Sequence, residues 1–278
     1  MTPKPLALIT GATSGIGKSF AERLASQGYD CVITGRRKQI IEQVAGDLSA
    51  RHGVEVKVVI ADFSDTKDLD SLISLVKSLP RIDVLINNAG FGLKNAFVGE
   101  SVENIGKMIQ VHAMATALIT RAALPKMIAA KKGAIINVSS MAAFLPLPGS
   151  EIYSATKSFL NGFSNSLSLS VRRYGIKVQA LCPGFTRTDF HAKIDLDPAQ
   201  LKDAGPVRWM SSDAVAAESL AALKKKNRVI VVPGFWNKVL HCAVRIIPWG
   251  LYGWVVTKFF LTSDRNRMFA KENNKNTE

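Results

Sequence analysis

Apolar and polar positions run along this chain in two rhythms. Short runs rich in β-branched and aliphatic residues predict seven strands, at Leu6–Thr10, Asp30–Thr34, Val54–Ile60, Val84–Asn87, Ala134–Ser139, Lys177–Leu181 and Arg228–Val232. Between them, apolar residues recur at helical spacing. Ile16, Phe20 and Leu24 stand four apart, and Leu69, Leu72, Ile73 and Val76 follow i, i+3, i+4, i+7. A run such as Val56-Lys57-Val58-Val59-Ile60 is too apolar for a half-exposed sheet. Strands alternating with helices therefore predict an α/β fold: one doubly wound, Rossmann-type domain with a seven-stranded parallel sheet covered on both faces. Right-handed crossovers put its ligand crevice at the carboxyl ends of the strands. No repeat or low-complexity linker breaks the pattern. The expected division is a main domain over 1–233 and an amphipathic C-terminal appendage over 234–278.

Composition narrows this picture. The chain has 278 residues, 47% of them hydrophobic, with 21% charged, which excludes a disordered chain. Cys31, Cys182 and Cys242 lie far apart, so neither a disulfide scaffold nor a structural zinc site is expected. Free thiols fit a reducing compartment, and a cytoplasmic location is expected. The formal net charge is +14, unevenly placed: residues 224–278 hold 11 Lys and Arg against 3 Asp and Glu, a net of +8, leaving +6 for the rest. The apolar stretch Leu6–Ile9 is too short for a signal peptide and runs straight into a glycine turn. No run reaches the length of a spanning helix, since Ile246–Thr257 contains Pro248, Gly250 and Gly253. No lipidation motif is seen at either end.

Thr10-Gly11-Ala12-Thr13-Ser14-Gly15-Ile16-Gly17 follows the first strand and opens a helix. Glycines there let the backbone turn tightly and approach a pyrophosphate, and the helix N-terminus offers unpaired N–H groups. The spacing is GxxxGxG rather than GxGxxG. In dinucleotide sites an acid after the second strand binds the adenosine ribose. Here that strand ends Thr34-Gly35-Arg36-Arg37. Two guanidiniums suit a 2′-phosphate, with Ser14 as a further donor, and favour NADP(H) over NAD(H).

Ser140 precedes Tyr153 by 13 residues and Lys157 follows it by four, so Tyr153 and Lys157 share a helix face. Ser140 lies just past a buried strand, at the crevice edge. A tyrosine with a pKa of about 10 is a poor acid–base group at neutral pH, and a neighbouring ammonium lowers that pKa. With these residues in view the sequence resembles the short-chain dehydrogenase/reductase family over roughly residues 5–232. Residues 10–17 match its TGxxxGxG turn, Asn87-Asn88-Ala89-Gly90 its NNAG motif, and Tyr153-Ser-Ala-Thr-Lys157 its YxxxK with Ser140 as the usual serine. Pro183-Gly184 and Thr188 match a PG segment and a threonine that commonly meets the nicotinamide carboxamide. Asp62-Phe63 match a segment that lines the adenine. The resemblance implies cofactor contacts at Gly11, Ser14, Gly15, Ile16, Gly17, Arg36, Arg37, Asp62, Phe63, Asn88, Ala89, Gly90, Tyr153, Lys157, Pro183, Gly184 and Thr188. It also implies assembly as a homodimer or homotetramer.

One position departs from the family. An asparagine usually stands 28 residues before the serine, where this chain has His112. That asparagine helps hold a water linking the catalytic lysine to solvent. Histidine either takes this role, through its ring or its backbone carbonyl, or is a packed helix residue. His52 and His241 carry no suggestion of chemistry. His191, in the loop after Thr188, faces either ligand or solvent. No His/Asp/Glu set has ligand spacing, so no metal is expected.

Residues 188–213 read as a long loop or short helices closing over substrate. Ala142, Phe144, Leu145, Leu147, Phe185, Phe190, Trp209 and Met210 are the apolar candidates for its lining, and favour a lipophilic ketone or acyl group. Phe235–Phe260 holds three of the four tryptophans, interleaved with Lys238, Arg245 and Lys258. This suits peripheral contact with a membrane, or packing on the same chain or a second subunit. No nucleic-acid module accompanies the charge. The leading expectation is an NADPH-dependent reductase of a lipophilic ketone or oxoacyl carbonyl, with Tyr153 as proton donor. The alternatives are a non-catalytic NADP(H) sensor or scaffold, or epimerase or dehydratase chemistry on the same fold.

Overall fold

A computed structural model describes residues 3–95, 97–192, 208–225 and 228–261. The side chains of 191, 192 and 259–261 fall outside the described residues, and so do 193–207, much of the predicted substrate loop. The strands are β1 (Leu6–Ile9), β2 (Asp30–Gly35), β3 (Val56–Ile60), β4 (Val84–Asn87), β5 (Gly133–Val138), β6 (Ile176–Leu181), β7 (Thr186–Arg187), β8 (Met210–Ser211) and β9 (Ile230–Val231). The main sheet has seven parallel strands in the order β3-β2-β1-β4-β5-β6-β9. The order reverses direction between β1 and β4, which opens a crevice at their carboxyl ends.

The helices are α1 (Gly15–Ala25), α2 (Lys38–His52), α3 (Thr66–Ser78), α4 (Val102–Ile109), α5 (Ala115–Ala129), α6 (Glu151–Val171), α7 (Asp189–Ala192), α8 (Ser212–Leu223), α9 (Phe235–Ile246) and α10 (Trp249–Leu261). Two cores result, one on each sheet face. Phe20 and Leu24 of α1 pack with Ile9 and Ile33 on one side. Leu69, Leu72 and Val76 of α3 pack with Leu8 and Leu85 on the other. Adjacent residues of a strand point to opposite faces, so a strand buried on both reads as continuously apolar. β5 is buried at every residue.

Two expectations are corrected. β3 is an edge strand, half-buried, and Ile60 is 45% exposed. Its apolar run was a poor guide because an edge position removes one neighbour, which composition does not reveal. The 188–213 segment contributes strand β8, which pairs with β7 in a parallel two-stranded ribbon. Of the alternatives for the C-terminal segment, α9 takes packing on the same chain. Leu240 joins Met141, Ala180, Cys182 and Val232 in a small third core, and Asn237 is buried.

Candidate active site

The crevice is a cleft of about 640 Å³. Every residue expected to hold the cofactor or to act in catalysis lines it except Gly17 and His112, which lie behind its walls. At one end, β1 runs into the glycine turn. Gly15 has φ +56°, and a Cβ there would stand 2.8 Å from the Thr188 side chain. A Cβ on Gly17 would collide with the Asn88 amide and the Gly11 carbonyl. Only glycine lets α1 start this close to the neighbouring loop. Asn88 holds that loop in place: its Nδ2 donates to the carbonyls of Thr10 and Gly11, at 2.9 and 3.0 Å. Its partner Asn87 donates across the sheet to Asn137 Oδ1 at 2.8 Å and to Thr120 Oγ1 at 2.9 Å.

Past β2, Arg36 and Arg37 sit where the second strand ends. Arg36 donates to Asp62 Oδ2 at 3.0 Å, and Arg37 donates to Thr13 Oγ1 and Ser14 Oγ at 2.9 and 3.1 Å. Burial pushes the Asp62 carboxyl up, but hydrogen bonds from Ser64 and the Arg36 guanidinium together hold it below its usual range. Two guanidiniums, Ser14 and a glycine cradle at a helix start form a fitting seat for a nucleotide carrying an extra phosphate.

At the other end, Ser140 follows β5, and Tyr153 and Lys157 project from the first turns of α6. Burial pushes the Tyr153 phenol above its ordinary pKa of 10.0, partly offset by a hydrogen bond from Ser140. Lys157 is buried, and burial lowers its pKa to about 8. Its Nζ donates to the Val138 carbonyl at 2.8 Å and lies 5.5 Å from the Tyr153 ring centre. The sequence reading expects the lysine to draw the phenol's pKa down. In this structure desolvation dominates instead and acts on both groups in opposite directions.

His112 lies in a π-type turn, Gln110–Met114, between α4 and α5. It is buried, and burial and the Lys157 charge hold its pKa well below 6.5. The Phe91 backbone N–H donates to Nε2 at 3.0 Å, so the neutral ring carries its proton on Nδ1. Nδ1 then donates to Thr156 Oγ1 at 3.0 Å, and Thr156 donates to the Tyr153 carbonyl at 2.9 Å. Both ring nitrogens are committed. The ring also meets the Tyr153 ring edge-on at 5.8 Å.

The apolar candidates divide. Ala142, Leu145, Leu147, Phe185 and Phe190 line the cleft. Phe144, Trp209 and Met210 do not: Phe144 packs on His241, Trp209 on Phe185, and Met210 against the core of the α1 side. Asn237 and Leu240 of α9 line the cleft instead. No motif marks them, and only the fold brings α9 back to the substrate end. His52 pairs with Glu22 at 2.7 Å on the surface, and the His191 side chain is outside the described residues. Among the described residues no cluster of three or more His, Cys, Asp or Glu suits a metal ion.

Comparison with known proteins gives the same family from three directions. The short chain dehydrogenase family profile matches residues 5–199. The chain is 37% identical over 186 residues to the very-long-chain 3-oxoacyl-CoA reductase of Anas platyrhynchos, covering 66% of this chain and 60% of that protein. It therefore spans about three fifths of that relative's length. It is 36% identical over 218 residues to the 3-oxoacyl-(acyl-carrier-protein) reductase of Aquifex aeolicus, covering 76% and 86% of the two chains. A short-chain dehydrogenase from Sphingobium yanoikuyae, solved in complex with NADPH, superposes with a TM-score of 0.78 at 31% identity, covering 88% of this chain and 96% of that one. With the glycine cradle, the Asn88 brace and the Ser140, Tyr153 and Lys157 cluster in one cleft, the chain belongs to the short-chain dehydrogenase family of oxidoreductases.

Proposed function

We propose that this protein is an NADPH-dependent reductase of ketone or oxoacyl carbonyls on lipophilic substrates, reversible as an alcohol oxidation. The observation that carries the reading is Tyr153 beside Lys157 and Ser140 in the same cleft as the arginine pair. Gly11, Gly15, Ile16, Asp62, Phe63, Ala89, Gly90, Pro183, Gly184 and Thr188 form the walls that would hold the nucleotide, with Gly17 beneath them. Arg36, Arg37 and Ser14 would meet its 2′-phosphate. NADPH, when bound, supplies the hydride to the carbonyl carbon. Ser140 holds the carbonyl oxygen, and Tyr153 gives it the proton through its hydroxyl. A phenol whose pKa stands above 10.0 is protonated at neutral pH, the state a proton donor needs. The Lys157 ammonium stabilises the phenolate left behind. His112 acts as a positioning residue: neutral and bonded at both nitrogens, it ties the Ala89–Phe91 loop to α6 through Thr156. Any water link to Lys157 then runs through the His112 backbone carbonyl rather than the ring.

The relatives' names mention 3-oxoacyl substrates, and Leu145, Leu147, Phe185 and Phe190 supply an apolar wall for such a chain. Assembly as a homodimer or homotetramer in the cytoplasm belongs to the same reading and is checked by analytical ultracentrifugation. The decisive experiment follows NADPH absorbance with a panel of ketones and 3-oxoacyl esters. Stoichiometric NADPH loss and alcohol formation are expected, with longer apolar chains preferred. Cofactor binding without consumption, across the whole panel, would point to the non-catalytic sensor instead.

A further inference from the structure

Of the two α9 residues that line the cleft, Leu240 is apolar and Asn237 is polar. Asn237 is only 7% exposed, and its neighbours fix the orientation of its amide. Nδ2 donates to the Pro233 carbonyl at 2.8 Å and lies 3.7 Å from the Met210 Sδ. A carbonyl only accepts, so the nitrogen faces Pro233 and Oδ1 is turned away from it. Oδ1 is left as an acceptor with no donor among the described residues. Gly184, in the cleft wall, makes room for it: a Cβ there would stand 2.5 Å from Oδ1.

The backbone around this amide is pinned on both sides. The Gly234 N–H donates to the two Glu218 carboxylate oxygens at 3.1 and 3.2 Å, and Lys238 pairs with the same carboxylate at 2.9 Å. The first turn of α9 is thereby tied to α8 before and after Asn237, and the open acceptor is held in a set place. Leaving a buried acceptor unpaired costs stability, whereas a leucine would fill similar space without that cost. The walls nearby are apolar: Leu240 and Leu145 pack in one cluster and both line the cleft. In such a cleft a few fixed polar groups decide which ligand binds and in what orientation.

We infer that Asn237 is a specificity-determining residue whose Oδ1 accepts a hydrogen bond from a hydroxyl or amide N–H on the substrate. The preferred substrate is then a lipophilic ketone that carries one such donor apart from its carbonyl. The inference rests on the proposed reductase function and narrows its substrate class. A neutral amide oxygen suits a neutral donor, because a cation there would be buried without a countercharge. An analogue lacking the donor leaves Oδ1 desolvated and unpaired, and a site built around one hydrogen bond rejects it on that ground.

The test uses the full chain and matched ketones of equal length. One pair differs by a hydroxyl against a methyl, the other by an amide N–H against an ester oxygen, with the group moved along the chain. At one position, wild-type protein should favour the donor-bearing ketone about 10- to 100-fold in kcat/KM, and the pair that shows the preference separates hydroxyl from amide. Asn237→Leu and Asn237→Asp both lose the bond to Pro233, but aspartate keeps an acceptor oxygen. The leucine variant should bring the ratio to about one and the aspartate variant should retain it. Equal ratios in the two variants would make the role of Asn237 structural and overturn the proposal. A wild-type ratio near one at every position overturns it without any variant. A raised NADPH Kd in Asn237→Leu with the ratio intact would place Oδ1 on the cofactor and overturn it as well. The same ketones are titrated calorimetrically into the NADP+ complex, where no hydride is available, so Kd is read without turnover. Donor preference in Kd with no ketone reduced ends the reductase reading and keeps the acceptor; reduction without donor preference does the reverse.

Discussion

The two ends of the cleft handle charge in opposite ways. At the nucleotide end, the Arg36 and Asp62 side chains are 61% and 38% exposed. Water screens their pairing, so Arg36 can leave Asp62 for another anion at little cost. At the reactive end, Lys157 is buried against a backbone carbonyl, and His112 is bonded at both nitrogens. There the surrounding protein sets each ionisation, because both groups are buried away from bulk solvent. The open end is built for exchange of partners and the closed end for fixed protonation.

The comparison breaks first if the closed end does no chemistry. Tyr153→Phe removes one hydroxyl and should lower kcat about 10²- to 10⁴-fold while NADPH affinity persists. Stopped-flow turnover and cofactor fluorescence read the two quantities separately, and a variant with most of its activity would end the proton-donor role. The next effect is on pH. Lys157 titrates near 8, and its ammonium is present below that value and lost above it. kcat/KM for reduction should therefore fall as pH rises through about 8, up to tenfold per unit. A profile flat to about pH 10 would mean that the lysine charge is not used.

The open end is tested by Arg36→Ala with Arg37→Ala. The NADPH Kd should rise about 10- to 100-fold, while the NADH Kd stays nearly the same, since only NADPH carries the phosphate. Equal losses for both cofactors would remove the phosphate seat. His112 gives the smallest expected effect. His112→Ala strands the Phe91 N–H and the Thr156 hydroxyl and should cost about 1–3 kcal/mol in denaturant unfolding, with an unshifted pH–rate profile. A folded-state pKa held below 6.5 also has a stability sign: below that pH the unfolded chain takes a proton that the folded chain refuses. Wild-type stability should thus decline as pH falls below about 6.5, by at most about 1.4 kcal/mol per unit, and the alanine variant should lose that slope. A shifted rate profile in the variant would restore the ring to a proton relay.

Much of the fold was legible because buried parallel strands cannot hide their apolar runs, and because a glycine turn with φ +56° tolerates few substitutes. The same holds for the spacing of Tyr153 and Lys157, which a helix converts directly into adjacency. Other features left no trace. Phe144, Trp209 and Leu145 are alike as sequence, yet only Leu145 reaches the cleft, since packing order rather than polarity chooses among apolar loop residues. Leu240 reaches it from 100 residues beyond Ser140 in the chain, through a helix the pattern set apart. Thr156 bonds His112 across 44 residues, a contact written in no local period.

The asparagine brace has a kinetic consequence. Asn88 meets Thr10 across 78 residues, and Asn87 meets Asn137 across 50. Both bonds wait on β4 slotting between β1 and β5, strands separated by whole crossovers. Loops of that length close late, and parallel sheets with such distant pairings fold slowly. The nucleotide seat therefore matures only when the centre of the sheet is complete. A refolding chain should regain helical signal before it regains cofactor fluorescence, and added nucleotide should slow unfolding without hastening the early steps.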